Sequence, residues 1–258
     1  MKHIQSRDNP QFKQLRRLAT SSRARRDERT TLIDGIHLYR SCLDAGLLPR
    51  LTLVAQRAID QMEIAGLMAR QPGEAIVLGD ALFDELSPTD TPTGLLAVID
   101  IPDTPTTSPS GDCLVLDAVQ DSGNLGTLLR AAWATGVADV LLTPGCAQAW
   151  SPKVLRAGQG AHFGLRIREQ CDLAGALKGY AGKIVATRLD ATQSLFALDL
   201  CGPVAWLFGN EGAGLSPSAS NLATDAVRIP MPGAAESLNV AMAATVCLFE
   251  QVRQRQSA

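Results

Sequence analysis

Aromatic residues are scarce in this sequence: six Phe, three Trp and two Tyr make up 4% of 258 residues. Platforms that stack the bases of single-stranded nucleic acid need several exposed rings, so that mode of binding is disfavoured. No apolar run approaches the roughly 18 residues of a membrane span. The charged opening Met1-Lys2-His3 leads into no apolar stretch of a secretory signal. A soluble, cytoplasmic protein without a membrane partner is expected. Six cysteines (Cys42, Cys113, Cys146, Cys171, Cys201, Cys247) include no C-x-x-C pair and have no histidine at ligand spacing. They read as reduced, buried thiols, and neither a disulfide framework nor a metal site is expected. His3, His37 and His162 are too dispersed to build a catalytic triad. The Gly-Lys-Ser/Thr of a phosphate-binding loop and the G-x-G-x-x-G of a dinucleotide site are both missing.

What is present is an ordinary globular balance, 46% hydrophobic and 19% charged, with a net charge of −2. That figure hides an asymmetry. Residues 1–30 carry nine basic side chains against three acidic ones, which leaves 15 basic against 23 acidic in the rest. A basic segment on an acidic body reads either as a phosphate-backbone footprint or as a solvated, Arg-rich surface helix.

Along the chain, Asn9-Pro10 opens an amphipathic helix over 9–20, with Phe12, Leu15 and Leu18 on one face. A helical pattern from Gly35 stops at Gly46, and strands are predicted at 31–33, 51–55, 75–78 and 95–99. The stretch 101–112, with three prolines among Thr, Ser and Gly, reads as a linker. Beyond it, apolar runs at 113–119, 139–142, 183–186, 204–208 and 226–229 alternate with helical segments. Such runs suit a parallel sheet covered on both faces. The expected organisation is a small α/β domain over 1–100, a linker over 101–112, and a larger α/β domain over 113–258.

Ligands of open α/β sheets bind beyond the carboxyl ends of the strands, and three loops there are unusual. The first runs from Asp117 through Gly123-Asn124 to Arg130. Asn124 is placed to cap the following helix, and Arg130 lies off its apolar stripe and can reach back toward Asn124. The same pattern also fits a capped helix with one surface arginine. The second, Gly209-Asn210-Glu211-Gly212-Ala213-Gly214, allows close backbone approach, while Glu211 would repel a phosphate and suits a cationic or hydroxyl-rich ligand. A plain turn is the alternative. The third, Arg228-Ile229-Pro230-Met231-Pro232, continues to Ser237-Leu238-Asn239. Its prolines keep it out of a ladder, leaving backbone groups that a flat heterocycle can satisfy. Alternatively, Ser237 or Asn239 merely caps the last helix.

Each loop alone is weak evidence, whereas their order and spacing together are specific. Asn-x-Gly-x-x-x-Arg after a strand, then Gly-Asn-Glu-Gly, then Ile-Pro-Met with Ser-Leu-Asn-Val-Ala resembles the SpoU (TrmH-like) branch of the SPOUT RNA methyltransferases. The resemblance covers the second half, including 151–163. The first half resembles, less closely, the small RNA-binding domain often attached in front, with Asp34-Gly35 where that family usually has Glu-Gly.

The resemblance implies a mostly parallel α/β fold with a C-terminal trefoil knot, a homodimer, and S-adenosylmethionine as cofactor. It places the cofactor's adenine among backbone groups around Leu207, Gly209, Ile229, Met231 and Leu238. Its catalytic motif falls on Asn124, Arg130, Glu211, Ser237 and Asn239. The implied reaction is methylation of a ribose 2′-hydroxyl in structured RNA, with ribosomal RNA favoured over transfer RNA by the two-domain layout. The rivals are a non-catalytic RNA-binding protein that kept the fold, and a small-molecule methyltransferase or nucleotide-binding enzyme unrelated to RNA. The intact motif opposes the first, and the basic front segment opposes the second.

Overall fold

The structure is a computed structural model and describes residues 1–70, 73–103 and 107–256. It divides into two compact units, Met1–Asp103 with Trp150–Phe163, and Thr104–Ala149 with Gly164–Ala258. Part of the proline-rich stretch 101–112, residues 104–106, lies outside the described set.

In the first unit, β1 (Lys2–Ile4) is followed by α1 (Pro10–Thr20), α2 (Ser22–Glu28), β2 (Thr30–Asp34), α3 (Ile36–Asp44), β3 (Leu51–Ala55), α4 (Met62–Arg70), β4 (Ala75–Leu78), α5 (Asp80–Leu86) and β5 (Leu95–Asp100). The strands form one sheet in the order β1-β4-β3-β5-β2, parallel from β1 to β3 and antiparallel at β5. Asn9 caps α1 by accepting from the Gln11 and Phe12 amides, and Phe12, Leu15 and Leu18 are buried as the periodicity requires.

The basic segment 1–30 divides between structure and surface. Arg25 is buried and donates to the Leu18 carbonyl at 2.6 Å, which makes it a structural cation. Arg7 and Arg16 both reach Glu85 at 2.8 Å, and Arg23 pairs with Asp27 at 3.4 Å. Such exposed pairs are worth about 0–1 kcal/mol each, so they hold the cations loosely at the surface.

The second half of the chain begins with β6 (Cys113–Leu116), α6 (Ser122–Ala134) and β7 (Asp139–Leu142). There follow α7 (Pro152–Gly158), β8 (Arg166–Arg168), α8 (Leu173–Ala176), β9 (Lys183–Thr187), β10 (Gln193–Ser194), β11 (Val204–Phe208), α9 (Pro217–Ser220), β12 (Asp225–Arg228) and α10 (Val240–Gln256). Helix α7 groups with the first unit, where the Thr31 hydroxyl of β2 donates to the Trp150 carbonyl at 2.6 Å. Residues 150–163 thus depart from the expected 113–258 domain, since they pack in the first unit.

The second unit's sheet is wholly parallel, in the order β10-β12-β9-β11-β6-β7-β8. Its central strands are apolar on both faces. Cys113, Val115, Ala205 and Leu207 join Leu173 and Leu177 in one core layer. By the two-residue period, Leu114, Leu116, Trp206 and Phe208 face the other way. There the Trp206 indole donates to Gln251 of α10 at 2.7 Å, and the Gln251 amide donates to Asp112 at 2.9 Å. Arg255 closes this network on Asp112 at 2.8 Å and so fastens α10 to the start of β6. Burial pushes the Asp112 carboxyl up, but Arg255, the Val204 amide and Gln251 outweigh it and hold it below the usual range.

Three strands escape the sequence pattern, namely β1, β8 and β10. Each is at the edge of its sheet and only two or three residues long, with polar side chains, so none makes an apolar run. The run predicted at 113–119 ends as a strand at Leu116, because Ala118 turns the backbone to φ 55°. Cys42, Cys113 and Cys247 are buried as expected, whereas Cys146 and Cys171 are half-buried and Cys201 is exposed. Among the described residues, no helix is long and apolar enough to cross a membrane.

Candidate active site

Strand β6 lies next to β7 on one side and β11 on the other, so the chain reverses direction across the sheet at β6/β11. Loops diverge at such a point and leave a crevice beyond the carboxyl ends. A cavity of about 350 Å³ opens beside it, beyond the carboxyl ends of β9, β11 and β12, in the second unit alone. Gly209, Glu211, Ile229, Met231, Ser237, Leu238 and Asn239 line it, together with Thr187 and Arg188 after β9 and Asn210 and Leu215 after β11.

The glycine-rich loop is closed on itself. Asn210 and Gly214 exchange backbone hydrogen bonds at 3.0 and 2.9 Å. The Asn210 side chain accepts from the Gly212 and Ala213 amides and donates to the Ala118 carbonyl at 3.0 Å. A Cβ on Gly209 would collide with the Gly214 backbone, so this close approach admits no side chain. Below the loop, buried Asp117 accepts from the Ser216 amide at 2.7 Å and the Thr143 hydroxyl at 3.0 Å.

Side-chain hydrogen bonds tie the three unusual loops together. Asn124 donates to Glu211 Oε1 at 2.8 Å, and Asn239 donates to Asn124 Oδ1 at 2.9 Å. The remaining oxygen of Asn239 accepts from the Ala241 and Met242 amides at 2.9 and 3.3 Å, capping α10. Capping and loop contact, alternatives in the sequence, are thus performed by one side chain. Asn124 itself is not the cap of α6: Asp121 is, accepting from the Asn124 amide at 2.7 Å. Starting the helix two residues before Asn124 frees its side chain for the neighbouring loop.

Two predicted residues stand elsewhere. The Leu207 side chain is fully buried in the core, and its carbonyl accepts from the Thr187 hydroxyl at 3.4 Å. Arg130 is exposed on α6, outside the cavity lining, and among the described residues it has no hydrogen bond or ion pair. The sequence reading missed Asn210 as the loop's internal clamp and 187–189 as cavity wall. The position of β9 between β11 and β12 is the signal for the latter, and it requires the strand order.

A parallel sheet with a cavity at its carboxyl end and a glycine-rich loop carrying a carboxylate has the layout of an α/β ligand site, and it suits a flat, hydroxyl-rich ligand. Comparison narrows this. The profile of the SpoU rRNA methylase family matches residues 112–249, and that of an MRM3-like substrate-binding domain matches residues 9–97. An uncharacterised tRNA/rRNA methyltransferase of Synechocystis is 35% identical over 99% of this chain and 95% of the relative. The 23S rRNA (guanosine(2553)-2′-O)-methyltransferase RlmP of Bacillus subtilis is 31% identical over 96% of this chain and 98% of its own. Among solved structures, the SpoU methyltransferase AviRb from Streptomyces viridochromogenes with bound AdoMet superposes with a TM-score of 0.89 at 27% identity. That match covers 97% of this chain and 99% of the other. The chain belongs to the SpoU rRNA methylase family.

Proposed function

We propose that this protein transfers the methyl group of S-adenosylmethionine to a ribose 2′-hydroxyl of ribosomal RNA. The observation that carries the reading is the hydrogen-bonded series Glu211–Asn124–Asn239 at the rim of the cavity, which joins the three motif loops. The relatives named above for RNA 2′-O-methylation support it. The cavity suits the cofactor on its own chemistry. Ile229, Met231, Leu238 and Val240 offer apolar surface to an adenine ring, and the Gly209 backbone lines the same cavity. The Glu211 carboxylate complements a cationic ligand, and Ser237 and Asn239 provide hydroxyl and amide partners for a ribose.

When bound, the cofactor supplies an electrophilic methyl group on a positively charged sulfur, a good leaving group. What the chain contributes is alignment and help for a weakly acidic hydroxyl. Arg130 acts on the hydroxyl and its neighbouring phosphate. Because guanidinium stays protonated in proteins, it stabilises the developing alkoxide as a cation, and the proton leaves to phosphate or water.

The same proposal assigns 1–100 to RNA binding and 113–258 to catalysis, in line with the two profile matches. It includes a homodimer, supported by Met242, Val246 and Phe249, which form an exposed apolar stripe at i, i+4 and i+7 on α10. The trefoil knot implied by the family suits a sheet in which β11 enters between β6 and β9, both formed earlier in the chain. A cytoplasmic site of action belongs to the proposal, with the ribosomal substrate.

Transfer of radiolabelled methyl to unmodified ribosomal and transfer RNA tests it, with Arg130→Ala and Arg130→Lys alongside. The wild type is expected to label ribosomal RNA. Loss of one such stabilising donor lowers the rate by about 10²–10³, and Arg130→Lys retains part of it. Label confined to transfer RNA would overturn the substrate, and a fully active Arg130→Ala would overturn the arginine's role.

A further inference from the structure

A second cavity, of about 390 Å³, lies wholly in the first unit. Its walls are Asp34 and Gly35 at the end of β2, the loop threonines Thr89, Thr91 and Thr93, and Arg156 of α7. The volume is in the range of about 300–1,000 Å³ typical of small-ligand sites. Asp34 is only 8% exposed. One of its carboxylate oxygens accepts from the Ser87 hydroxyl, and the other has no donor among the described residues. Burial raises its pKa, opposed by the Ser87 hydrogen bond and the charge of Arg156. The Arg156 guanidinium forms no ion pair and donates no hydrogen bond among the described residues, whereas Arg40 at the rim is already paired with Glu63 at 2.6 Å.

A carboxylate oxygen without a donor at the cavity wall can accept an N–H, and a guanidinium without an ion pair can hold an anion. A nucleotide with an amino-bearing base supplies both, with hydroxyls that the threonines can meet. We infer that this cavity holds one unstacked nucleotide of the RNA, its exocyclic amino group at Asp34 and its phosphate at Arg156. The inference rests on RNA being the substrate and adds a point of base recognition in the front unit. Cytosine, adenine and guanine carry the required amino group. Uracil does not, and its only N–H sits between two carbonyl oxygens that repel a carboxylate.

The test is fluorescence anisotropy of the full chain with labelled hexacytidylate and hexauridylate. The cytidine oligomer is expected to bind about tenfold more tightly, as for a hydrogen bond to a charged group. Asp34→Asn should bring the ratio to about one without weakening the uridine oligomer. Arg156→Gln should weaken both by a similar factor, because a phosphate contact carries no base information. In case Asp34→Asn fails to fold, amide NMR of the wild type with CMP is a second readout, with shifts expected at Gly35 and Thr93. Equal affinity for the two oligomers in the wild type overturns the inference, as do CMP shifts confined to the 209–240 cavity. Binding of CMP with exclusion of the cytidine oligomer overturns the assignment to RNA in favour of a free nucleotide. Methyl transfer to ribosomal RNA, measured on the same preparation, separates the two readings. Activity without base preference removes only this inference, and base preference without activity removes only the proposed reaction.

Discussion

Replacing Asn239 by Asp separates the two jobs of its side chain. Its Oδ1 caps α10 through the Ala241 and Met242 amides, and its Nδ2 holds Asn124, which in turn holds Glu211. Asp caps as well as Asn does, and its charge at a helix N-terminus adds about 0.3–1 kcal/mol. Stability should therefore stay near wild type. The donor to Asn124 is lost, however, and turning the Asn124 amide does not restore the series, since its oxygen would then face Glu211. The loss of one hydrogen bond, about 0.5–1.5 kcal/mol, plus repulsion between two carboxylates, should weaken S-adenosylhomocysteine binding by about 10- to 100-fold. Asn239→Ala removes cap and contact together. Loss of the cap costs about 0.5–2 kcal/mol, or about 1–8 °C in Tm for a chain of this size. Calorimetric titration and thermal melting of both variants give the answer. If Asn239→Asp binds the cofactor product as the wild type does, the hydrogen-bonded series is not part of the site and the residue is a cap alone.

Three further outcomes are expected. Gly209→Ala puts a methyl against the Gly214 backbone, so the loop must open. Cofactor binding should fall at least tenfold, and unchanged binding by titration would show that the closed loop is not the binding form. Asp112 has a folded-state pKa below its ordinary 3.8, so its contribution is fully present above that value and is lost as pH falls through the folded pKa. Asp112→Asn should therefore cost about 1–3 kcal/mol near neutral pH and flatten the acid limb below about pH 4 in denaturant titrations. Equal losses at pH 3 and pH 7 would contradict the assignment. Burial pushes the Cys42 thiol up to about 11 and the Cys247 thiol up to about 12. Ellman's reagent at pH 8 should modify exposed Cys201 first and leave these two until denaturant is added. Their prompt reaction in the native protein would contradict the packing around α3 and α10.

The sheet that carries the site was legible because its central strands are buried on both faces, and burial leaves apolar runs such as 204–208. Edge strands such as Arg166–Arg168 leave no such run, since their outer rows meet solvent. Glu211, Ser237 and Asn239 could be chosen from spacing because they follow strand ends in loops rich in Gly and Pro, and they do line one cavity. That Asn124 links Glu211 to Asn239 depends on where α6 starts, a shift of two residues that side-chain capping by Asp121 decides. Thr187 and Arg188 became visible only with the strand order, because β9 reaches the cavity by lying between β11 and β12. Asp34 and Arg156 are 122 positions apart in sequence. Only the packing of α7 in the first unit brings them to one cavity.

The central claim is that the methyl group goes to the ribose 2′-oxygen, and alkali tests it most directly. Alkaline cleavage of RNA requires a free 2′-hydroxyl as nucleophile, so a 2′-O-methylated residue leaves its 3′ linkage uncut. Ribosomal RNA labelled by the wild-type protein from radiolabelled S-adenosylmethionine, then hydrolysed in alkali, is predicted to yield the label in an alkali-stable dinucleotide. Label recovered entirely in mononucleotides would mean that a base had been methylated, and would contradict the account.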